Sequence, residues 1–198
     1  MFVYLFIYYM INHSINNNVF TQAECLNIIN FCIQHGEPFS YGPNELWDCR
    51  RIYNEEFKEK IITSLINNYK TENFKLWFDF DNFNLKNFLI SLTSYYDGRY
   101  LNLHKDTNSE LTSVIILSNG FEGGQFALSD GNTPDIHFNK MDDINTYDLK
   151  VGDAISFNGS KTFHGVLPVT NGIRYALNIW MTESDYDYPN FKVNKTLI

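Results

Sequence analysis

Four side chains in this sequence are of types and at spacings that could do chemistry together: His104, Asp106, His164 and Arg174. The first two stand in Tyr95-Tyr-Asp-Gly-Arg-Tyr-Leu-Asn-Leu-His104-Lys-Asp106. The others stand in Phe163-His164-Gly-Val-Leu-Pro-Val-Thr-Asn-Gly-Ile-Arg174-Tyr-Ala-Leu-Asn-Ile-Trp180. Two positions apart, His104 and Asp106 leave the same face of a strand or its end. Two imidazoles and one carboxylate make up the facial set that holds non-haem Fe(II) and leaves coordination positions open. Arg174 is a permanently charged fork able to grip a carboxylate with two hydrogen bonds. A lone His-x-Asp is common by chance; the second histidine, followed ten residues later by arginine, gives the pattern its weight. His13, His35 and His137 have no such company and are expected on the surface or satisfied in the core.

Elements that could position these groups follow in chain order. Thr21 with Glu24 forms a capping box before a helix, and Phe20 can staple onto Cys25. Leu26, Ile29 and Ile33 recur at helical spacing, Cys25, Ile28 and Cys32 widen the same face, and Gly36 with Pro38 ends the element. Trp47–Tyr53 reads as a short extended segment. Asn54 can cap a second helix whose stripe is Phe57, Ile61, Leu65 and Tyr69, with Glu56, Lys58 and Lys60 off it. Both helices are expected to buttress one face of a sheet. Asp79-Phe-Asp81 reads as a solvated turn. From Phe88 the texture turns to short strands: Phe88–Tyr96, Thr112–Leu117, Gln125–Leu128, Ile136–Phe138, Ala154–Phe157 and Ile173–Met181. Asp97-Gly98, Asn119-Gly120 and Gly123-Gly124 supply turns between them. Short, regularly punctuated strands point to an antiparallel sandwich or barrel.

The chain of 198 residues, 44% hydrophobic and 17% aromatic, is enough for one domain with a real core. A single domain over 1–198 is expected: an N-terminal strand and supporting helices at 1–83, a catalytic core at 84–184 and a tail at 185–198. The net charge of -8 speaks against a nucleic-acid groove. Cys25, Cys32 and Cys49 match no zinc or disulfide spacing, so buried thiols in the cytoplasm or another reducing compartment are expected. Met1–Ile11 is almost wholly apolar, too short to span a membrane and without a basic start or cleavage site. It is expected to form a strand, with a signal-anchor as the alternative; no membrane association is expected of the rest.

The motifs together resemble the 2-oxoglutarate and Fe(II)-dependent oxygenases, in their prolyl 4-hydroxylase-like branch. Tyr95-x-x-Gly98 with His104-x-Asp106 looks like that branch's metal strand. Phe121-Glu-Gly-Gly124 and Gly152-Asp-Ala-Ile-Ser-Phe157 stand in the expected order. His164 to Arg174, with its Pro168-Val169 pair and Gly172, is similar to the family's second ligand and clamp. Val19-Phe-Thr-x-x-Glu24-Cys25 is similar to its helical entry.

The resemblance implies a mainly β fold with flanking helices: a double-stranded β-helix, or jelly roll, with iron at one open end. It implies His104, Asp106 and His164 as Fe(II) ligands. Arg174 would bind the distal carboxylate of 2-oxoglutarate, and Tyr95 and Trp180 would contact or line the cosubstrate pocket. The chemistry would be oxidative decarboxylation of 2-oxoglutarate to succinate and CO2, with O2 consumed, a C–H bond hydroxylated and L-ascorbate as a supporting reductant. The substrate implied is a prolyl residue of a peptide or protein. The acidic balance favours a basic peptide, and the loops 36–48 and 129–147 are expected to close over it. Two departures stand: Ile116 occupies the place of a family tyrosine on the next strand, and Tyr100 is one place from another. Alternatives are the same chemistry on another residue type or a small molecule, an inactive jelly-roll binding module, or a capsid-type jelly roll.

Overall fold

The computed structural model describes residues 13–39, 47–68, 87–129, 137–138 and 144–182. The expectations for Met1–Ile11, Asp79–Asp81, Tyr69 and the tail lie outside these residues. Two helices and thirteen strands are described: β1 (His13–Asn16), α1 (Gln22–His35), β2 (Glu37–Phe39), β3 (Asp48–Ile52), α2 (Glu55–Asn68), β4 (Phe88–Tyr95), β5 (Leu101–His104), β6 (Ser109–Ile116), β7 (Glu122–Gly123), β8 (Phe126–Ser129), β9 (Ile144–Tyr147), β10 (Ala154–Phe157), β11 (Phe163–Val166), β12 (Val169–Asn171) and β13 (Arg174–Thr182). The strands form a seven-stranded sheet in the order β1-β10-β6-β13-β4-β3-β2, a four-stranded sheet β5-β11-β8-β9 and a small pair β12-β7. All pairings are antiparallel. This is the antiparallel sandwich that the short strands and turns suggest, in the jelly-roll form that the resemblance implies.

The period of two in the large sheet decides what each face does. Register aligns Leu177 with Leu92 and Ile115, and these point with Ile90, Ile179 and Ala154 into one cluster with the helices. The intervening residues, Ala176, Ile116, Val114, Ile155 and Phe157, point the other way. There they meet Phe126, Leu128 and Val166 of the small sheet in a second cluster. The central strands are therefore buried on both faces, in keeping with the apolar run Val114–Leu117 at the end of β6.

α1 begins at the capping box: the Glu24 amide donates to Thr21 Oγ1 at 3.3 Å, and the Thr21 amide donates to Glu24 Oε2 at 2.8 Å. Its inward stripe is rotated from the one read in the sequence. Cys25, Ile28, Ile29 and Cys32 are buried, whereas Leu26 and Ile33 are 57% and 44% exposed. Positions i, i+3, i+4 and i+7 define the narrower stripe, and small cysteines let the helix lie close to the sheet. Those thiols are free, and burial pushes Cys25 up to about 11 and Cys32 up to about 12. α2 is capped by Asn54 Oδ1, which accepts from the Phe57 amide at 2.8 Å. Ile61, Ile62 and Leu65 are buried, and Phe57 stacks on Phe31 of α1 with ring centres 3.9 Å apart. Lys58, expected off the stripe, is buried along its stem with its ammonium 3.0 Å from Glu55.

Two further expectations are corrected. Of the strand expected at Ile136–Phe138, the described residues His137 and Phe138 lie in a turn instead, and Phe138 has φ +59°, which an extended strand does not accommodate. The partner of β8 is instead β9, aligned from Phe126–Tyr147 to Ser129–Ile144. The segments 36–48 and 129–147 are not wholly loop, since β2 and β9 lie within them and extend the two sheets.

Candidate active site

Two cross-strand pairs set the site. In the small sheet His104 is paired with His164, bringing the ring centres to 4.3 Å. In the large sheet Arg174 is paired with Tyr95, whose ring centre lies 5.5 Å from the guanidinium carbon. Both pairs open on one cavity of about 440 Å³ between the sheets, a volume that suits a small organic ligand. The register of β5 and β11 shifts between His164 and Val166, and Gly165 lies within that irregularity. A Cβ there would collide with the Leu101 carbonyl, so glycine lets the two histidine-bearing strands approach.

Asp106 follows β5 by two residues, and its amide donates to the Gly159 carbonyl at 2.9 Å. Its Oδ1 lies 3.6 Å from His104 Nε2, and its Oδ2 lies 3.4 Å from His164 Nε2. The nitrogens on the far sides are fixed by backbone: His104 Nδ1 is 2.9 Å from the Asn102 carbonyl and His164 Nδ1 is 3.0 Å from the Thr162 carbonyl. A carbonyl only accepts, so Nδ1 holds the proton in each neutral ring and Nε2 presents a lone pair inward. The three donor atoms lie within 4.8 Å of one another. No other His, Cys, Asp or Glu joins the cluster among the described residues. Two imidazole nitrogens and one carboxylate oxygen, open on the remaining side, fit a divalent iron. Burial works against the charged form of Asp106, but His164 and His104 outweigh it and hold its carboxyl well below the usual carboxylate range. Burial likewise pulls His104 down, and the hydrogen bond and charge of Asp106 leave it raised on balance.

Arg174 is buried to 1% exposure, and Nε, Nη1 and Nη2 have no hydrogen-bond partner among the described residues. Burial lowers its pKa to about 10. A guanidinium in such a place is costly unless an anion completes it. A carboxylate matches the fork in shape and charge. Gly124 makes the position possible: at φ +66°, a Cβ there would lie 2.9 Å from the Arg174 stem and 2.8 Å from Val169. The glycine pair read as a turn thus has a second purpose, giving the arginine its path.

Every expected site residue lines the same cavity: His104, Asp106, His164, Arg174, Tyr95 and Trp180. Trp180 does more than line it, since its Nε1 donates to Asp106 Oδ2 at 3.0 Å. Ile116 faces the inter-sheet core, so no tyrosine hydroxyl stands at that place. Among the polar residues on the cavity wall that were missed in the sequence are Thr93, Asn102 and Thr112. Asn178 Nδ2 donates to Thr93 Oγ1 at 2.9 Å, and Thr112 Oγ1 donates to Asp106 Oδ2 at 2.6 Å. Each stands an even number of places from a site residue on its own or a paired strand, which is the one signal the sequence offered.

Residues 90–182 match the model of the 2OG-Fe(II) oxygenase superfamily. No curated protein matches the sequence. Among solved structures the chain is similar to a Pseudomonas putida prolyl-4-hydroxylase, at 14% identity and TM-score 0.58, covering 87% of this chain and 93% of that one. A Trichoplax adhaerens prolyl hydroxylase, solved with a hypoxia inducible factor peptide fragment, aligns at 18% identity and TM-score 0.57 over 86% and 83%. The non-haem alpha-ketoglutarate-dependent epimerase SnoN from nogalamycin biosynthesis aligns at 13% identity and TM-score 0.60 over 92% and 85%. At these identities the likeness shows a shared fold.

Proposed function

We propose, building on the match of residues 90–182 to the model of the 2OG-Fe(II) oxygenase superfamily, that this chain is such an oxygenase and hydroxylates a prolyl residue of a peptide or protein. One observation carries the enzymatic part. A convergent His-Asp-His set and a fully buried arginine, its nitrogens without partners among the described residues, face a single cavity. His104 Nε2, Asp106 and His164 Nε2 would hold Fe(II), and Arg174 would take the distal carboxylate of 2-oxoglutarate. When bound, Fe(II), 2-oxoglutarate and O2 supply oxidative decarboxylation to succinate and CO2, coupled to oxidation of a C–H bond.

The chain's own contribution is placement. The backbone carbonyls of Asn102 and Thr162 set the tautomers of the two histidines. Val114, Phe126 and Val166 wall the cavity with hydrocarbon and keep water from the reacting centre. Arg174 acts on a group remote from the reaction, so its loss weakens cosubstrate binding before it slows chemistry. Tyr95, stacked by Trp47 at 6.2 Å, closes the arginine end. L-ascorbate enters this proposal as a supporting reductant, and the free buried thiols accord with a reducing, cytoplasmic setting.

The prolyl assignment draws on two proteins of the same fold named as prolyl hydroxylases, one of them solved with a peptide. The epimerase of the same fold supports the second reading, the same cofactor chemistry on a small molecule. Anaerobically loaded protein, exposed to O2 with proline-containing basic peptides, should form succinate in step with a peptide gaining one oxygen. Succinate that forms at one rate with and without every peptide would move the assignment to the second reading.

A further inference from the structure

We propose that Thr112 and Trp180 are positioning residues for the Asp106 carboxylate: by occupying Oδ2 they leave Oδ1 as its metal-facing oxygen. The inference rests on the metal-binding reading above and goes beyond it to the way the carboxylate is presented.

The two donors come from neighbouring strands. Thr112 of β6 is paired with Trp180 of β13, so both side chains leave the same face of the large sheet at the same level. Asp106 approaches from the small sheet, just past β5. Thr112 Oγ1 donates to Oδ2 at 2.6 Å and Trp180 Nε1 donates to the same oxygen at 3.0 Å. A carboxylate oxygen offers about two lone-pair positions, and two donors fill them. His164 Nε2, 3.4 Å from Oδ2, is the lone-pair side of a ring whose proton sits on Nδ1, so it adds no third donor in the neutral form. Oδ1 is different: it faces His104 Nε2 at 3.6 Å. For Oδ2 to bind a metal, one of the two hydrogen bonds must break. Oδ1 can bind with both in place. Asp106 would then contribute one oxygen and leave one more position for other ligands.

The surroundings are shaped for this contact. Thr112 is 1% exposed. A Cβ on Gly159 would collide with Thr112 Oγ1 and lie 2.6 Å from Asp106 Oδ2. Gly159 also accepts the Asp106 amide. A threonine buried for packing alone needs one partner; it does not need an indole N–H on the same oxygen and a glycine clearing the space.

The test is an anaerobic Co(II) titration of the full chain followed by visible absorption, with melting of the metal-free protein measured beside it. T112V and W180F each remove a donor while keeping most of the shape; T112S restores the hydroxyl. T112V and W180F should each weaken Co(II) binding by about 10–100-fold, the range for partners of a metal ligand. T112S should bind like wild type, and T112V with W180F should change the band intensity that reports coordination number. Unchanged Co(II) affinity in both variants overturns the proposal, whatever their melting temperatures. A T112S protein as weak as T112V overturns the role of the hydroxyl. A wild type that binds no Co(II) overturns the metal reading itself, a separate and recognisable failure.

Discussion

The two ends of the cavity are finished to different degrees. At the iron end, the outward atoms of the ligand side chains already have company: Nδ1 of both histidines meets a carbonyl, and Asp106 Oδ2 receives a hydroxyl and an indole. At the other end, Arg174 is as deeply buried, yet its three nitrogens have no partner among the described residues. A group completed by the protein is preorganised, and its removal leaves neighbours stranded. A group left incomplete costs stability in the free protein and gains it back when an anion binds. The contrast separates residues that build the site from a residue that waits for its ligand.

That difference can be broken from either side. The largest effect is expected for His164→Ala, which removes a ligand and should abolish metal-dependent stabilisation; a variant that still binds Mn(II) like wild type would remove His164 from the set. Arg174→Met should leave Mn(II) binding intact and weaken 2-oxoglutarate on the order of a hundredfold, as loss of two charge-assisted hydrogen bonds implies. Calorimetry of the Mn(II) protein decides this. The metal-free forms sharpen the contrast further. Asp106→Ala removes the acceptor shared by the Thr112 and Trp180 donors and should cost about 1–3 kcal/mol in urea unfolding, whereas Arg174→Met should cost nothing or stabilise. Equal destabilisation by both would erase the distinction.

The smallest effect concerns pH. Burial places Arg174 in the free protein at about 10, below its ordinary value. Only the charged form grips a carboxylate, so 2-oxoglutarate affinity should hold steady below that point. It should then fall by about tenfold per pH unit above it. A midpoint far lower would assign the pH dependence to another group.

Much of this was legible in the sequence because it is carried by period and spacing. The capping box, β10 at Ala154–Phe157 and the alternation along β13 all follow from local chemistry, and they place Arg174, Ala176, Asn178 and Trp180 on one face. The Asp97-Gly98 turn is likewise local, with φ of +51° and +75°. Other features are tertiary. Leu26 reads as part of an apolar stripe, but how far α1 rolls on the sheet is set by its packing partners. Thr112 reads as one residue of an apolar strand; its role appears only when register puts it beside Trp180 and the other sheet delivers Asp106. Phe138 reads as strand because it is aromatic and alternates with Ile136 two places before it, while its positive φ belongs to a turn that the sequence does not announce.

The most direct measurement is anaerobic thermal unfolding with Mn(II) standing in for Fe(II), with and without 2-oxoglutarate, in wild type, His164→Ala and Arg174→Met. Ligands that bind only the native state must raise the midpoint. Mn(II) should raise it and 2-oxoglutarate should raise it further. His164→Ala should lose the Mn(II) shift, and Arg174→Met should lose only the added 2-oxoglutarate shift. A wild type unmoved by either ligand, or a 2-oxoglutarate shift that survives in Arg174→Met, would contradict a single cavity with a metal at one end and a carboxylate clamp at the other.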